Sequence, residues 1–338
     1  AGDDRVQGRE SGVDGAAGGK CGGKRSLKCA QIVRFQNADR GCWRGCDRPN
    51  SGLNTMHHRF YTNHRYGIIN PLQIEVDAWI NWPSVSIAPK ELRRQFDILP
   101  RLINFSALSH SRQIELLDHM QAWEKSNPRM TYFSALLTSD ADERKVVNHL
   151  ARQMLQKTSD RECMLLRFYD PRVFGHLQWI LDERQINYLL GPIEKWSWRL
   201  LDGSWASQPR SADTGGLGLK LTESQWRVLS RIGVLNRTLA HLTSAGIPVG
   251  DIRFVASVIE QAYERWDMED ESDIFLFVEQ VLLTHLGIHD HPELSRRLEQ
   301  VQMGQVSYVG ACLDLDITKL SQDVIGAVSN KTWSVYGL

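Results

Sequence analysis

The stretch that decides the fold is Cys163-Met-Leu-Leu-Arg-Phe-Tyr-Asp-Pro-Arg172, an apolar run that ends in charged residues and a proline. The apolar part is typical of a buried strand. Aspartate at a helix N-cap and proline at the first helical position suit each other, because proline lacks the N–H that would be unpaired there. The segment therefore predicts a strand, a sharp turn at Asp170 and a helix that begins at Pro171.

A second apolar run, Thr131-Tyr-Phe-Ser-Ala-Leu-Leu-Thr138, precedes this segment and predicts another buried strand. Between the two runs, Asp140 and Asp142 offer N-cap chemistry for a helix with one apolar face, formed by Val146, Val147, Leu150, Met154 and Leu155. Strand, helix and strand within about 40 residues predict a βαβ unit with parallel strands and a right-handed crossover.

A hairpin is predicted further along the chain. Trp196 and Trp198 alternate on one face of a strand, Asp202-Gly203 is a turn signal, and Trp205 lies on the returning arm. The alternation favours packing of the tryptophans against one side of the sheet. The alternative is a platform on which sugars or bases stack.

Residues 207–220 are a linker by composition, and after them the apolar residues recur at helical spacing. Thr222-Glu-Ser-Gln225 is a capping box, and it precedes a helical stripe formed by Trp226, Leu229, Ile232, Leu235, Leu239 and Leu242. Asp251 and Ser272 are the predicted caps of two further helices, and Pro292 begins a fourth.

The predicted fold class is an α/β (α+β) N-terminal lobe, residues 66–206, followed by an all-α C-terminal lobe, residues 221–304. The N-terminal lobe is expected to hold a small mixed sheet that contains the βαβ unit. Residues 305–338 have weak signals and remain an unassigned tail.

Composition limits the class of protein. Of 338 residues, 42% are hydrophobic and 24% are charged, which is an ordinary globular balance. The 40 basic and 40 acidic residues cancel, so the total charge gives no sign of a nucleic-acid surface. No run of about 18 apolar residues predicts a membrane span, and the N-terminus has no apolar core of the signal-peptide type. The expected compartment is the cytoplasm.

Residues 1–55 differ from the rest of the chain. They hold 11 of the 26 glycines, with ten basic and six acidic residues, and they have no hydrophobic period. They are predicted to be a disordered or non-native extension, with the natural protein starting near Met56. Two alternatives stay open. One is nucleic-acid binding through this basic segment. The other is a zinc knuckle, although its cysteines lack the tight Cys-x2-Cys pairs of such sites; they are Cys21, Cys29, Cys42 and Cys46.

Two groups of residues are weighed as sites. Arg167 and Arg172 would clamp an anion beside Asp170, with His176 as a general base, in a small-anion enzyme. The structural interpretation, which is favoured, is that Asp170 caps the helix and pairs with an arginine. The second group is His285, His289 and His291. Gly287 and Pro292 break the helix among these histidines, so no metal site is predicted there. No cofactor and no catalytic residue is predicted either.

The quoted residues resemble a known family. Leu-Leu-Arg-Phe-Tyr-Asp-Pro-Arg-Val-Phe (165–174), followed by Leu-Leu-Gly-Pro-Ile-Glu-Lys-Trp (189–196), looks like the signature of the domain of unknown function 4123. The resemblance covers roughly residues 66–206. Its signature residues in this chain are Arg167, Phe168, Tyr169, Asp170, Pro171, Arg172, Gly191, Pro192 and Trp196.

The resemblance implies an adaptor, not an enzyme. Members of that family are expected to act as chaperones that bind a toxic effector of type VI secretion and help to load it onto the VgrG spike. The implied partners are the effector toxin and VgrG, with no membrane and no nucleic acid. The helical lobe is the expected determinant of cargo choice.

Overall fold

The structure is a computed structural model that describes residues 60–61, 63–128, 130–158, 162–200, 202–211 and 218–322. The segments 1–55 and 323–338, with the four N-terminal cysteines, lie outside the described residues. We call residues 60–211 the sheet lobe and residues 218–322 the helical lobe. The predicted class, α+β followed by all-α, is confirmed.

The strands of the sheet lobe are β1 (Tyr66–Ile69), β2 (Val85–Ser86), β3 (Arg101–Asn104), β4 (Ala135–Thr138), β5 (Leu155–Lys157), β6 (Cys163–Leu165), β7 (Lys195–Arg199) and β8 (Trp205–Pro209). Six of them form one sheet in the order β2-β3-β1-β4-β7-β8, and every pair of neighbours is antiparallel. The predicted hairpin is confirmed as β7 and β8. Strand β8 continues to Pro209, three residues into the segment 207–220.

The helices of the sheet lobe are α1 (Val76–Trp79), α2 (His110–Ser126), α3 (Glu143–Met154), α4 (Pro171–Ile180) and α5 (Glu183–Leu190), with 3-10 turns at Lys90–Gln95 and Phe105–Ala107. Alternation along the strands gives the sheet two apolar faces. One face, with Ile68, Leu137 and Trp196, packs against α3, α4 and α5. The other, with Ile69 and Leu136, packs against α1 and α2. The sheet therefore lies between two helical layers.

The predicted mixed sheet and its βαβ unit are wrong, because every described strand pair is antiparallel. Helix α3 runs directly into β5, and β6 pairs with β5 as an antiparallel two-stranded sheet, from Leu155 opposite Leu165 to Lys157 opposite Cys163. The backbone groups of β6 are used in this pairing, and the place beside β4 is taken by β7. The apolar residues that follow β6 are buried in the core, but they do not form a strand. An apolar run indicates burial and does not show which strand it pairs with, so the predicted pairing was wrong.

The helical lobe contains α6 (Glu223–Ser244), α7 (Ile252–Trp266), α8 (Glu271–Leu283), a 3-10 turn at Ile288–Asp290, α9 (Pro292–Gln302) and α10 (Tyr308–Ala311). The capping box at Thr222 and Gln225 and the cap at Asp251 are confirmed. The predicted cap at Ser272 is wrong, because the cap is Asp270, two residues earlier, whose side chain accepts the Ser272 amide. None of the described helices is both long and apolar enough to cross a bilayer.

Helix α6 belongs to both lobes. Ile232 is buried in the core of the sheet lobe, with Val228 and Leu229 packed against it. Leu235 and Leu242, further along the same helix, are buried in the core of the helical lobe. Because one rigid helix contributes to two cores, neither lobe buries its apolar surface without it.

Replacing Ile232 should therefore destabilise both lobes together. We expect Ile232→Ala to lower the free energy of unfolding by about 2–4 kcal/mol, from lost burial and the cavity left behind. The exposed Ile252 on α7 is a matched control, and Ile252→Ala should cost less than about 1 kcal/mol. Urea titrations followed by tryptophan fluorescence and far-UV circular dichroism measure the free energy of unfolding of both variants. Separate unfolding of the two lobes in the Ile232 variant would contradict the shared core.

Candidate functional site

The turn at Asp170 is the centre of the candidate site. The Asp170 side chain caps α4 by accepting the backbone N–H of Arg172 at 3.0 Å, and Pro171 occupies the first helical turn. The aspartate is almost completely buried, with 4% of its side chain exposed. A cap of this kind contributes about 0.5–2 kcal/mol to helix stability. The structural interpretation of Asp170 is therefore the one that its geometry supports.

Both signature arginines converge on Asp170. The guanidinium of Arg172 donates from Nε to Oδ1 at 3.1 Å and from Nη2 to Oδ2 at 3.0 Å, a two-pronged pairing. Arg167 Nη2 lies 3.6 Å from Oδ2, and its guanidinium lies over the ring of Tyr169 at 5.9 Å. An anion that used this fork would first have to displace the aspartate, so the geometry opposes the proposed anion clamp.

The aromatic residues of the signature are core residues. The rings of Phe174 and Trp196 are stacked, with centroids 4.9 Å apart and planes 13° apart, and Phe168 lies 5.6 Å from Trp196. Burial raises the pKa of Tyr169. Trp196 and Trp198 are both buried, so the alternative of a stacking platform is wrong for them. Trp205, across from Arg199, packs against the opposite face of the sheet.

The turn at Gly191 and Pro192 is fitted around a histidine. Gly191 has φ of +55°, and a Cβ at this position would lie 2.1 Å from the ring of His149. The imidazole donates from Nε2 to the carbonyl of Leu189 at 2.9 Å, and burial lowers its pKa. The Ser139 hydroxyl donates to the carbonyl of Pro192 at 2.6 Å. Only glycine meets both the conformational and the steric requirement here.

His176 lies at the junction of the lobes and does not join the Asp170 group through any hydrogen bond described. Its Nε2 atom is 3.0 Å from Oδ1 of Asn236 on α6, and Nε1 of Trp179 donates to its Nδ1 atom at 3.3 Å. Trp179 packs against both cores. The hypothetical base is therefore held in an inter-lobe contact, and the sequence-based enzyme hypothesis loses the group it needs near the arginines.

The histidines near residue 288 do not form one site. His289 is stacked on Phe277, with ring centroids 3.6 Å apart, and burial lowers its pKa to about 3. His291 caps α9 by accepting the amide of Glu293. Across the described ranges, no three His, Cys, Asp or Glu side chains come together as metal ligands would.

Exposed apolar surface is present on both lobes. A shallow groove, open to solvent, lies between α6 and α7 and is lined by Val228, Arg231, Leu235, Ala256, Ile259 and Glu260. On the helical lobe, Met303 and Leu313 are 70% and 83% exposed. On the sheet lobe, Leu72 and Ile80 on either side of α1 are 53% and 55% exposed.

One comparison finds a similarity in the central part of this lobe. Residues 98–188 match the model described as Domain of unknown function (DUF4123). Residues 98–188 are therefore similar to that domain. The match begins just before β3, ends within α5 and includes Arg167–Arg172, whereas Gly191, Pro192 and Trp196 follow it directly. No curated protein and no solved structure matches the chain.

The residues that resemble the DUF4123 signature thus have a structural role, which sequence analysis predicted only in part. The cap at Asp170 was predicted from Asp-Pro, and the burial of Trp196 from alternation. The contact between Gly191 and His149 was not predicted, because it joins residues 42 positions apart. Asn236 was also missed; its signal is a lone amide beside the apolar stripe of α6.

Removing the carboxylate at position 170 should test the cap. We expect Asp170→Ala to lower the free energy of unfolding by about 2–4 kcal/mol, because it removes the cap and leaves two arginines without their anion. Asp170→Asn keeps an acceptor for the Arg172 amide and should cost less. Asp251→Ala, which removes the exposed cap of α7, should cost about 1 kcal/mol in the same thermal or urea assay. Equal losses for Asp170→Ala and Asp251→Ala would contradict a special role for the buried cap.

A second test separates conformational strain from crowding at Gly191. Gly246 also has positive φ, +72°, but a Cβ there meets nothing within 4 Å. Gly246→Ala should cost about 1–2 kcal/mol from backbone conformation alone. Gly191→Ala must also displace the His149 ring, which should add about 1–3 kcal/mol, measured as the difference in free energy of unfolding. A cost for Gly191→Ala no larger than that for Gly246→Ala would rule out the steric role of His149.

Proposed function

We propose that this chain is a cytoplasmic adaptor that binds an effector toxin of type VI secretion and helps to load it onto the VgrG spike. In this proposal the chain carries out no chemistry and acts through protein contacts alone. The observation on which the proposal rests is the match of residues 98–188 to the DUF4123 model, which includes the turn that joins β6 to α4.

The state of the signature residues agrees with a structural role for that turn. Asp170, Arg167 and Arg172 bond to one another and to the start of α4. Charged groups used in this way fix the position of a helix and leave the recognition of a partner to other surfaces. An adaptor needs such a rigid framework, because a pre-organised surface loses less entropy on binding.

The exposed apolar side chains supply candidate contact surfaces. Four lie close together in sequence at the end of the helical lobe, namely Met303, Val306, Val309 and Leu313. Amphipathic segments of a partner are commonly held on such helical surfaces. Residues 221–303 carry 13 acidic and seven basic residues, so cargo that contacts this lobe should tolerate or prefer basic character. The helical lobe is accordingly the proposed determinant of cargo.

Secretion assays in the bacterium that encodes the chain test the proposal. Deleting the gene should abolish export of one toxin, whereas VgrG itself should still be exported. The full chain should restore toxin export. The double variant Met303→Glu and Leu313→Glu should restore it less well, because charges replace an exposed apolar contact.

A matched control is available on the other lobe. Leu72→Glu with Ile80→Glu introduces the same number of charges at exposed apolar positions around α1, and it should restore export fully. Unchanged export of all toxins after deletion would contradict the adaptor function. Full restoration by both double variants would contradict only the assignment of cargo binding to residues 303–313.

A further inference from the structure

A line of three hydrogen bonds leads from the surface of the β7–β8 hairpin to a buried histidine. Ser207 on β8 is exposed, and its Oγ atom lies 2.7 Å from Oγ of Ser197, the residue directly opposite on β7. Ser197 is fully buried, and its Oγ atom lies 3.0 Å from Nε2 of His64. The Nδ1 atom of His64 lies 2.9 Å from the carbonyl oxygen of Phe60. The line therefore links an exposed hydroxyl to a buried imidazole.

The chemistry of these atoms fixes the direction of each hydrogen bond. A carbonyl only accepts, so Nδ1 of His64 carries the hydrogen and, in the neutral ring, Nε2 is an acceptor. Ser197 has one hydroxyl hydrogen and donates it to His64, so Ser207 must donate to Ser197. A base bonded to a serine hydroxyl in this way activates it as a nucleophile, here with one further serine between them.

We propose that Ser207 is an acyl-accepting nucleophile: His64, acting through Ser197, takes up its proton while the Ser207 oxygen attacks the carbonyl carbon of an activated ester. The bond from Oγ to the acyl carbon forms, and the bond from that carbon to the leaving oxygen breaks. The Ser207 proton passes to Ser197 as the Ser197 proton passes to Nε2 of His64. The imidazole then returns one proton, through Ser197, to the leaving oxygen.

The backbone N–H of Ser207 is placed to stabilise the oxyanion that develops in this attack. Strand β8 is an edge of the sheet. The amide of Arg210 donates to Glu194, and the amide of Leu200 donates to Ser204, so the even-numbered residues of β8 bond to β7. The N–H of Ser207 therefore points to the open edge, and no acceptor for it is found in the described part of the chain. A free backbone donor beside the nucleophile is the basis of an oxyanion hole.

Lys195 adds a positive charge on the same face of the hairpin. It lies two residues before Ser197 on β7, and therefore diagonally opposite Ser207, at a spacing that a long side chain can bridge. A cation at this position favours negative charge on the attacked carbonyl. The arrangement thus combines a nucleophile, a base and two groups that stabilise the oxyanion.

The surroundings of His64 keep it available as a base. Burial lowers its pKa below the usual 6.5, the hydrogen bond to the carbonyl of Phe60 opposes this in part, and the positive charge of Lys195 lowers it further. A histidine with a lowered pKa is neutral near pH 7 and able to accept a proton. Proton uptake by His64 at lower pH should therefore stop the reaction.

Aromatic side chains beside Ser207 indicate the kind of acyl donor. Trp205 lies two residues before Ser207 and on the same face of β8. Its ring lies 5.3 Å from that of Phe60, which in turn lies 5.1 Å from the imidazole of His64. Both Trp205 and Phe60 are only partly buried. An ester with an apolar or aromatic group fits this wall better than a charged one.

The acylated chain should accumulate rather than turn over. Once Ser207 carries the acyl group, its oxygen has no proton to pass on. The next oxygen of the line, Oγ of Ser197, is fully buried and gives water no direct access to the base. We therefore expect one acyl group per chain, retained on Ser207.

Reaction of the full chain with p-nitrophenyl acetate at pH 7.5 tests the proposal. Mass spectrometry of peptides, sampled over time, measures the acetyl group on each serine. Ser204 is a matched comparison in the same hairpin, because it is exposed but its Oγ atom donates to Asp202 at 2.6 Å. Ser207 should be acetylated about 100-fold faster than Ser204, the smallest contribution typical of a general base.

The pH dependence of the same reaction needs no variant. The rate for Ser207, relative to Ser204, should be constant above pH 6.5, where His64 is neutral. It should fall about tenfold for each pH unit below the folded pKa of His64, because only the neutral imidazole accepts the proton.

Variants separate the members of the line. Ser207→Ala should remove the fast acetylation, and Ser197→Ala or His64→Gln should lower acetylation of Ser207 to the rate of Ser204. Ser204→Ala should leave the rate for Ser207 unchanged. Far-UV circular dichroism shows which variants keep the fold.

Three results would overturn the proposal. They are acetylation of Ser207 no faster than that of Ser204, a rate for Ser207 that does not fall between pH 7.5 and pH 4.5, and a folded Ser197→Ala variant that reacts as fast as the natural chain. Acylation of Ser207 is separate from the adaptor function, which uses protein contacts alone, so none of these results bears on that function.

Discussion

The packing of helix α6 into two cores is the constraint on which the rest of the structure depends. Ile232 completes the core of the sheet lobe, and Leu235 and Leu242 belong to the core of the helical lobe. The lobes are distinct in architecture, yet they are not independent units, since a helix shared in this way transmits a shift of one core to the other. A hydrogen bond between His176 on α4 and Asn236 on α6 also joins the two lobes.

The residues that resemble the DUF4123 signature belong to the same framework. Asp170 fixes the start of α4 and holds the two arginines, while Gly191 lets the next turn pass against His149. These residues looked like a binding site in sequence because charged side chains followed a buried strand. In the fold they bond to each other. Exposed apolar side chains lie elsewhere, on both lobes.

Local signals in the sequence predicted more than non-local ones. The Asp-Pro cap, the capping box at Thr222 and the hairpin at Gly203 are set by neighbours within four residues, and all three are present. Strand pairing depends on residues far apart, so the apolar run 163–169 was assigned to a parallel strand although only Cys163–Leu165 pair, with β5. The contacts of His149 with Gly191 and of His176 with Asn236 were beyond prediction for the same reason.

The most direct measurement of the adaptor proposal is the mass of complexes formed by the purified full chain, determined by size-exclusion chromatography with light scattering. Each type VI toxin and VgrG protein of the same bacterium would be mixed with it, and the components then weighed by mass spectrometry. The account predicts a stable complex with one toxin, in which both chains keep their original masses. Failure to form a complex with any toxin or VgrG, or a covalent change in the toxin after incubation, would contradict it.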